Sequence, residues 1–213
     1  METARPPGRP AALQTGIRIE IVTLIWMTVE AAVALAAGAM AGSILLIAFG
    51  ADSVIELISG VVLLWRFSIE SRGSDAARIE RVERRATWVS ATLLALLCLY
   101  VAITVAVGLV WRVEPESSFS GILVSVGAII IMPLLARTKR GVNTRLASAA
   151  LRADIAESIT CAYMAATVLF GLALNAALGW WWAEYVAAIV FLYWLFGETR
   201  EALEAARGNE HAE

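Results

Sequence analysis

The sequence predicts an all-α membrane protein, a bundle of six transmembrane helices with its N- and C-termini in the cytoplasm. Three observations lead there. Hydrophobic residues make up 60% of the 213-residue chain, and the mean hydropathy of +0.73 lies outside the range of a soluble domain of this length. Six apolar segments are long enough to cross a hydrocarbon core of ~30 Å. The cations gather almost wholly on one side of those segments, which the positive-inside rule makes the cytoplasmic side.

Taken in chain order, residues 1–18 form a cytoplasmic tail that begins METARPPGRP. The apolar stretch after it is a full-length helix without a small-residue cleavage site, so it is expected to be retained rather than removed as a signal. The first span covers about 19–38 and the second about 43–65. Gly38 and Gly42 cross their junction with G-x-x-x-G spacing, which suits close helix contact. Arg5, Arg9 and Arg18 precede the first span, and Arg66, Arg72, Arg78, Arg81, Arg84 and Arg85 follow the second. The stretch SRGSDAARIERVERRA there reads as a short charged helix that faces solvent and lipid headgroups, not as a nucleic-acid surface.

The third span, about 87–111, contains Cys98, and Arg112 just beyond it is the one cation on the outer side. The fourth, about 119–136, is short and holds Pro133, which is placed to kink it. Arg137, Lys139, Arg140 and Arg145 occupy the loop before the fifth span, about 147–174. The sixth, about 180–197, opens on Trp180, Trp181 and Trp182, read as an interfacial aromatic belt that leaves Glu184 near the outer surface. Residues 198–213 form a C-terminal tail, GETREALEAARG continuing as a charged helix and His211 lying at its end. The transmembrane domain is thus 19–197. Cys98 and Cys161 both fall inside spans, so no disulfide framework is expected. The formal charge of −2 says little, because the charges are segregated by side.

The chemistry lies in the acids inside the spans. From Glu56 to Arg66, the cytoplasmic end of the second span, the helix measures ~15 Å, and from Arg145 to Glu157 on the fifth it measures ~18 Å. Asp52 and Glu56, and likewise Glu157 and Cys161, are four residues apart and share one helix face. Two antiparallel spans therefore carry four anion-capable donors at similar depth. A buried charge there costs several kcal/mol unless it is paired, protonated or wetted. No Lys, Arg or His occurs between Ile19 and Trp65, and Arg152 is turned well away from Glu157. The countercharge must come from a divalent metal ion or from shared protons, with inert packing as the remaining reading.

Asp52, Glu56, Glu157 and Cys161 are accordingly the candidate metal ligands. Glu30, also without a nearby cation, and Asp154, three residues before Glu157, are candidates for a supporting or proton-coupling role. Carboxylates with one thiol suit Zn²⁺, which is the preferred ion, with Mn²⁺, Fe²⁺, Co²⁺ and Cd²⁺ left open. Protons compete with a metal for such a site, which is the chemistry that metal/proton exchange requires.

These residues resemble the cation diffusion facilitator (cation efflux) family. GSILLIAFGADSVIEL is similar to its second helix, LRADIAESIT with the following Cys161 to its fifth, and WWWAEYVAAIV to the opening of its sixth. The similarity runs from about residue 20 to residue 200. It implies six spans, both termini inside, and a transport site made from helices two and five. Family members usually have His and Asp at the positions of Glu157 and Cys161, and Asp at position 56. Most also carry a cytoplasmic metal-binding domain after the sixth helix, so the resemblance is to a short form without it, and a homodimer would be held through the spans.

The expectation is therefore a multi-pass transporter of the inner (plasma) membrane that exports a divalent transition-metal cation from the cytoplasm by proton antiport. It would hold no permanently bound cofactor; its partners would be the metal ion, protons and the lipid bilayer, and not nucleic acid. The alternative is a proton-relay or scaffolding protein with buried acids and no metal transport. An intramembrane enzyme is not expected, because Ser158 and Thr160 have no His or Lys placed to activate them.

Overall fold

A computed structural model describes residues 9–72 and 76–208 of the chain. Arg5, residues 73–75 and His211, which figure in the sequence reading, lie outside the described residues. Six helices follow one another: α1 (Arg9–Ala41), α2 (Ile44–Arg72), α3 (Ala76–Trp111), α4 (Phe119–Leu146), α5 (Ala149–Leu178) and α6 (Trp181–Gly208). The first five each contain a stretch long and apolar enough to cross a membrane. Every helix runs past the apolar segment that announces it. The charged stretch after the second span is not a separate element, because from Ala76 onward it forms the beginning of α3.

The junctions explain where the helices stop. Gly42 takes φ +65 between α1 and α2, a left-handed conformation that costs glycine little. Ser118 and Ser148 cap the starts of α4 and α5 by accepting the backbone N–H groups of Gly121 and Leu151, as the unpaired first turn of a helix requires. Ala147 ends α4 in the left-handed region, its N–H donated to the Asn143 carbonyl. Pro133 lies inside α4.

Around the bundle the helices neighbour one another in the order α1, α4, α5, α6, α3, α2 and back to α1. Helix α2 also reaches across to α5 and α6, which makes it the element that can bring side chains from three helices to one point. Two apolar clusters fill the interior. The larger includes Leu46, Phe49, Met132, Met164, Val168 and Phe191; the smaller, around Leu13, Leu63, Phe67, Leu146, Leu151 and Ile155, joins the ends of α1, α2, α4 and α5. Outward faces carry large exposed apolar side chains such as Ile25, Leu96, Ile103, Phe170 and Phe196, a surface suited to lipid and not to water.

Of the glycines at the first junction, Gly38 makes the close contact. A Cβ there would lie 2.8 Å from both the backbone nitrogen and a side-chain carbon of Ile47 on α2, whereas Gly42 has nothing within 4 Å.

Polar ties lock the ends. Near the start of α6, the buried Glu184 accepts a hydrogen bond from Ser43 Oγ (2.5 Å) and one from Asn175 Nδ2 (2.8 Å), and Asn175 also donates to the Pro115 carbonyl (3.0 Å). Glu184 is thus buried among the helices in the first turn of α6. Trp180 stacks on Trp182, while Trp181 meets Tyr185 edge to face. On the opposite side of the bundle Lys139 is 1% exposed and lies inside α4, not in a loop. Its ammonium is 3.0 Å from Glu20 on α1 and 2.6 Å from Asp154 on α5, so three helices meet at one cation.

Two stability predictions follow from these contacts. Gly38→Ala should lower the melting temperature in detergent: the contact with Ile47 costs about 1–3 kcal/mol by overpacking, more than the roughly 0.5–1 kcal/mol gained from helix propensity. Gly141→Ala on α4, with nothing within 4 Å, should leave it unchanged or raise it. Lys139→Met strands two buried carboxylates and should cost about 3–5 kcal/mol. The triple variant Lys139→Met/Glu20→Gln/Asp154→Asn should recover most of that loss.

Candidate metal centre

Helix α2 presents Asp52 and Glu56 on one face, one turn apart, toward α6. There Glu198 completes a group in which one oxygen from each of the three acids lies within 4.8 Å of the other two. Asp52 is wholly buried and Glu56 nearly so. Both oxygens of Asp52, Oε1 of Glu56 and Oε1 of Glu198 are buried without a hydrogen-bond partner among the described residues. No ion pair reaches these three acids among the described residues, since Lys139 is bound to Glu20 and Asp154. Adjacent carboxylates in this condition repel one another and forgo solvation. The arrangement becomes favourable when cations or protons enter it.

The other residues singled out by the sequence divide around this group. Glu157 on α5 lies within electrostatic reach of Asp52, Glu56 and Glu198, and also of Asp154 and Lys139, so it stands between the acidic trio and the ion-paired lysine. Asp154 is held by Lys139 at 2.6 Å. Cys161 is buried, and its Sγ is 3.5 Å from Glu30 Oε1.

Glu30 is the best-satisfied acid in the interior. Ser53 Oγ donates to its Oε1 at 2.7 Å and Trp26 Nε1 to its Oε2 at 2.8 Å, with the Cys161 thiol as a third donor. These bonds join α1, α2 and α5 one residue from Asp52. They fix the rotation of α2 that turns Asp52 toward α6.

Sequence reasoning missed three residues here. Glu198 falls one position past the apolar segment of α6, so a reading by span length assigns it to the tail. Glu20 falls one position inside the first span, and its burial is legible only once a partner is known. Lys139 reads as one more cytoplasmic cation, although its being the only lysine in the chain was a usable signal: an ammonium is a compact charge that fits between two carboxylates. Cys98, set aside in the sequence, lies beside the group, its Sγ 3.3 Å from Thr199 Oγ1 next to Glu198.

Chemically, three carboxylates from two helices, with a fourth from α5 nearby, form an oxygen-rich group that could hold a cation. No curated protein matches the chain. A family model described as the cation efflux transmembrane domain matches residues 21–207, a stretch that contains Glu30, Asp52, Glu56, Asp154, Glu157, Glu198 and the lysine just described. The chain therefore belongs to the cation efflux family of metal-cation transporters.

Proposed function

We propose that the protein exports a divalent metal cation from the cytoplasm across the inner (plasma) membrane in exchange for protons, with Asp52 and Glu56 as the core of the transport site and Glu157 closing it from α5. The observation that carries this reading is Asp52, a fully buried carboxylate with neither oxygen hydrogen-bonded, facing two further acids within 4.8 Å. An ion arriving from the cytoplasm meets Asp154 and Glu157 first, then the trio. Protons arriving from the other side neutralise the same oxygens and displace it. Alternating exposure by rocking of the bundle around the site would couple the two fluxes. All six helices span the membrane in this reading, both termini are cytoplasmic, and two copies pair through their spans.

Zn²⁺ is the expected ion so long as Cys161 is a ligand, but its thiol lies against Glu30. The identity of the metal therefore turns on whether sulfur enters the site. A proton relay without metal transport remains the rival, and it too would use buried acids.

The two readings separate in proteoliposomes. With the lumen made more acidic than the outside, the wild-type chain should take up divalent metal, alkalinise the lumen in step with it as protons leave, and bind metal more weakly as pH falls, because bound protons must leave first. Asp52→Asn should reduce metal uptake by about a hundredfold or more, as loss of a direct ligand does, without changing the melting temperature by more than about two degrees. Proton flux that persists in wild type without any metal dependence would leave only the relay.

A further inference from the structure

We propose that Glu198 of α6 is a direct ligand of the transported ion, and that the site is oxygen-only, suited to an oxygen-seeking divalent cation of the Mn²⁺ class and not to a thiophilic one such as Cd²⁺ or Zn²⁺. This rests on the transporter reading above and names its substrate class.

The geometry comes first. Metal–oxygen distances of ~2.1 to 2.4 Å place opposite ligands of one ion ~4.2 to 4.8 Å apart. One oxygen from each of Asp52, Glu56 and Glu198 already falls within 4.8 Å of the other two, so small side-chain shifts suffice to close all three on one ion. The unmet bonding capacity points the same way. Asp52 is 0% exposed with both oxygens unpartnered, and Glu56 and Glu198 each turn one unpartnered oxygen inward. Interior acids tied into the scaffold look different in this chain, since Glu30 accepts from three donors and Glu184 from two.

The sulfurs lie near the group but are hydrogen-bonded to other residues. The Cys161 thiol donates to Glu30, and Cys98 shares a hydrogen bond with Thr199. Neither belongs to the group of converging oxygens, and the chain's single histidine, His211, is outside the described residues. Carboxylates alone suit Mg²⁺, Ca²⁺ and Mn²⁺, whereas thiolate and imidazole are what hold Zn²⁺ and softer ions tightly. Three carboxylates, binding through one or both oxygens, supply the six-fold oxygen coordination that a tetrahedral zinc site does not use.

Purified full-length chain in detergent and in proteoliposomes tests this with Mn²⁺ and Cd²⁺ as probes. Titration followed by Mn²⁺ electron paramagnetic resonance should show saturable binding in wild type, weakened about tenfold or more in Glu198→Gln. Cd²⁺ added to wild type should give no thiolate-to-metal ultraviolet absorption. Glu198→Cys should create that band and shift the Cd²⁺/Mn²⁺ transport ratio toward Cd²⁺ by about tenfold or more.

A thiolate band in wild-type protein that Cys161→Ala or Cys98→Ala removes would overturn the oxygen-only site, as would unchanged Mn²⁺ binding in Glu198→Gln. In either case metal transport that Asp52→Asn abolishes would show the transporter reading intact. Wild-type chain that moves neither ion would sink both.

Discussion

The buried carboxylate of Asp52, with neither oxygen bonded to the protein, is the constraint from which the rest of the structure takes its meaning. An anion held this way in an apolar interior is costly to keep, and folding has not removed it by supplying a donor or a base. The surrounding helices preserve that unmet demand. Ser53, the next residue, spends its hydroxyl on Glu30, and the lysine that could have reached the interior acids is fixed between Glu20 and Asp154.

Seen together, the interior acids are handled in three distinct ways. Glu20 and Asp154 share one internal ammonium, while Glu30 and Glu184 are solvated by hydroxyl, indole, amide and thiol donors. Asp52, Glu56 and Glu198 retain oxygens with no partner among the described residues. The first two treatments tie helices to one another and make the scaffold rigid. The third leaves binding capacity at the place where α2 meets α6. A site of this kind needs such a scaffold, because repelling carboxylates would otherwise push the helices apart.

Much of the architecture was legible in residue order because hydrophobic length is a direct physical requirement of a bilayer. The spans of α1 to α5 and the depth shared by Asp52, Glu56 and Glu157 followed from it. The helix ends did not, since α4 continues ten residues beyond its apolar segment, to Leu146, on the strength of a buried ion pair that hydropathy scores as loop. Glu198 was hidden for the same reason: a charged residue just past an apolar run looks like solvent-facing tail until its neighbours in space are known. The i,i+4 rule found Asp52 with Glu56 because both lie on one helix, and it has no counterpart for an acid contributed across the bundle. Cys161 shares a face with Glu157, but a shared face does not fix which neighbour a side chain meets, and here the thiol meets Glu30.

Helix α6 holds two acids with opposite duties. Glu184 is clamped to Ser43 and Asn175, and Glu198 lies ~21 Å farther along the same rod at the helical rise. Since a helix resists compression along its axis, the clamp and the far carboxylate behave as the two arms of a lever. In an alternating-access cycle, a stiff α6 would carry a movement that begins at the clamp through to Glu198.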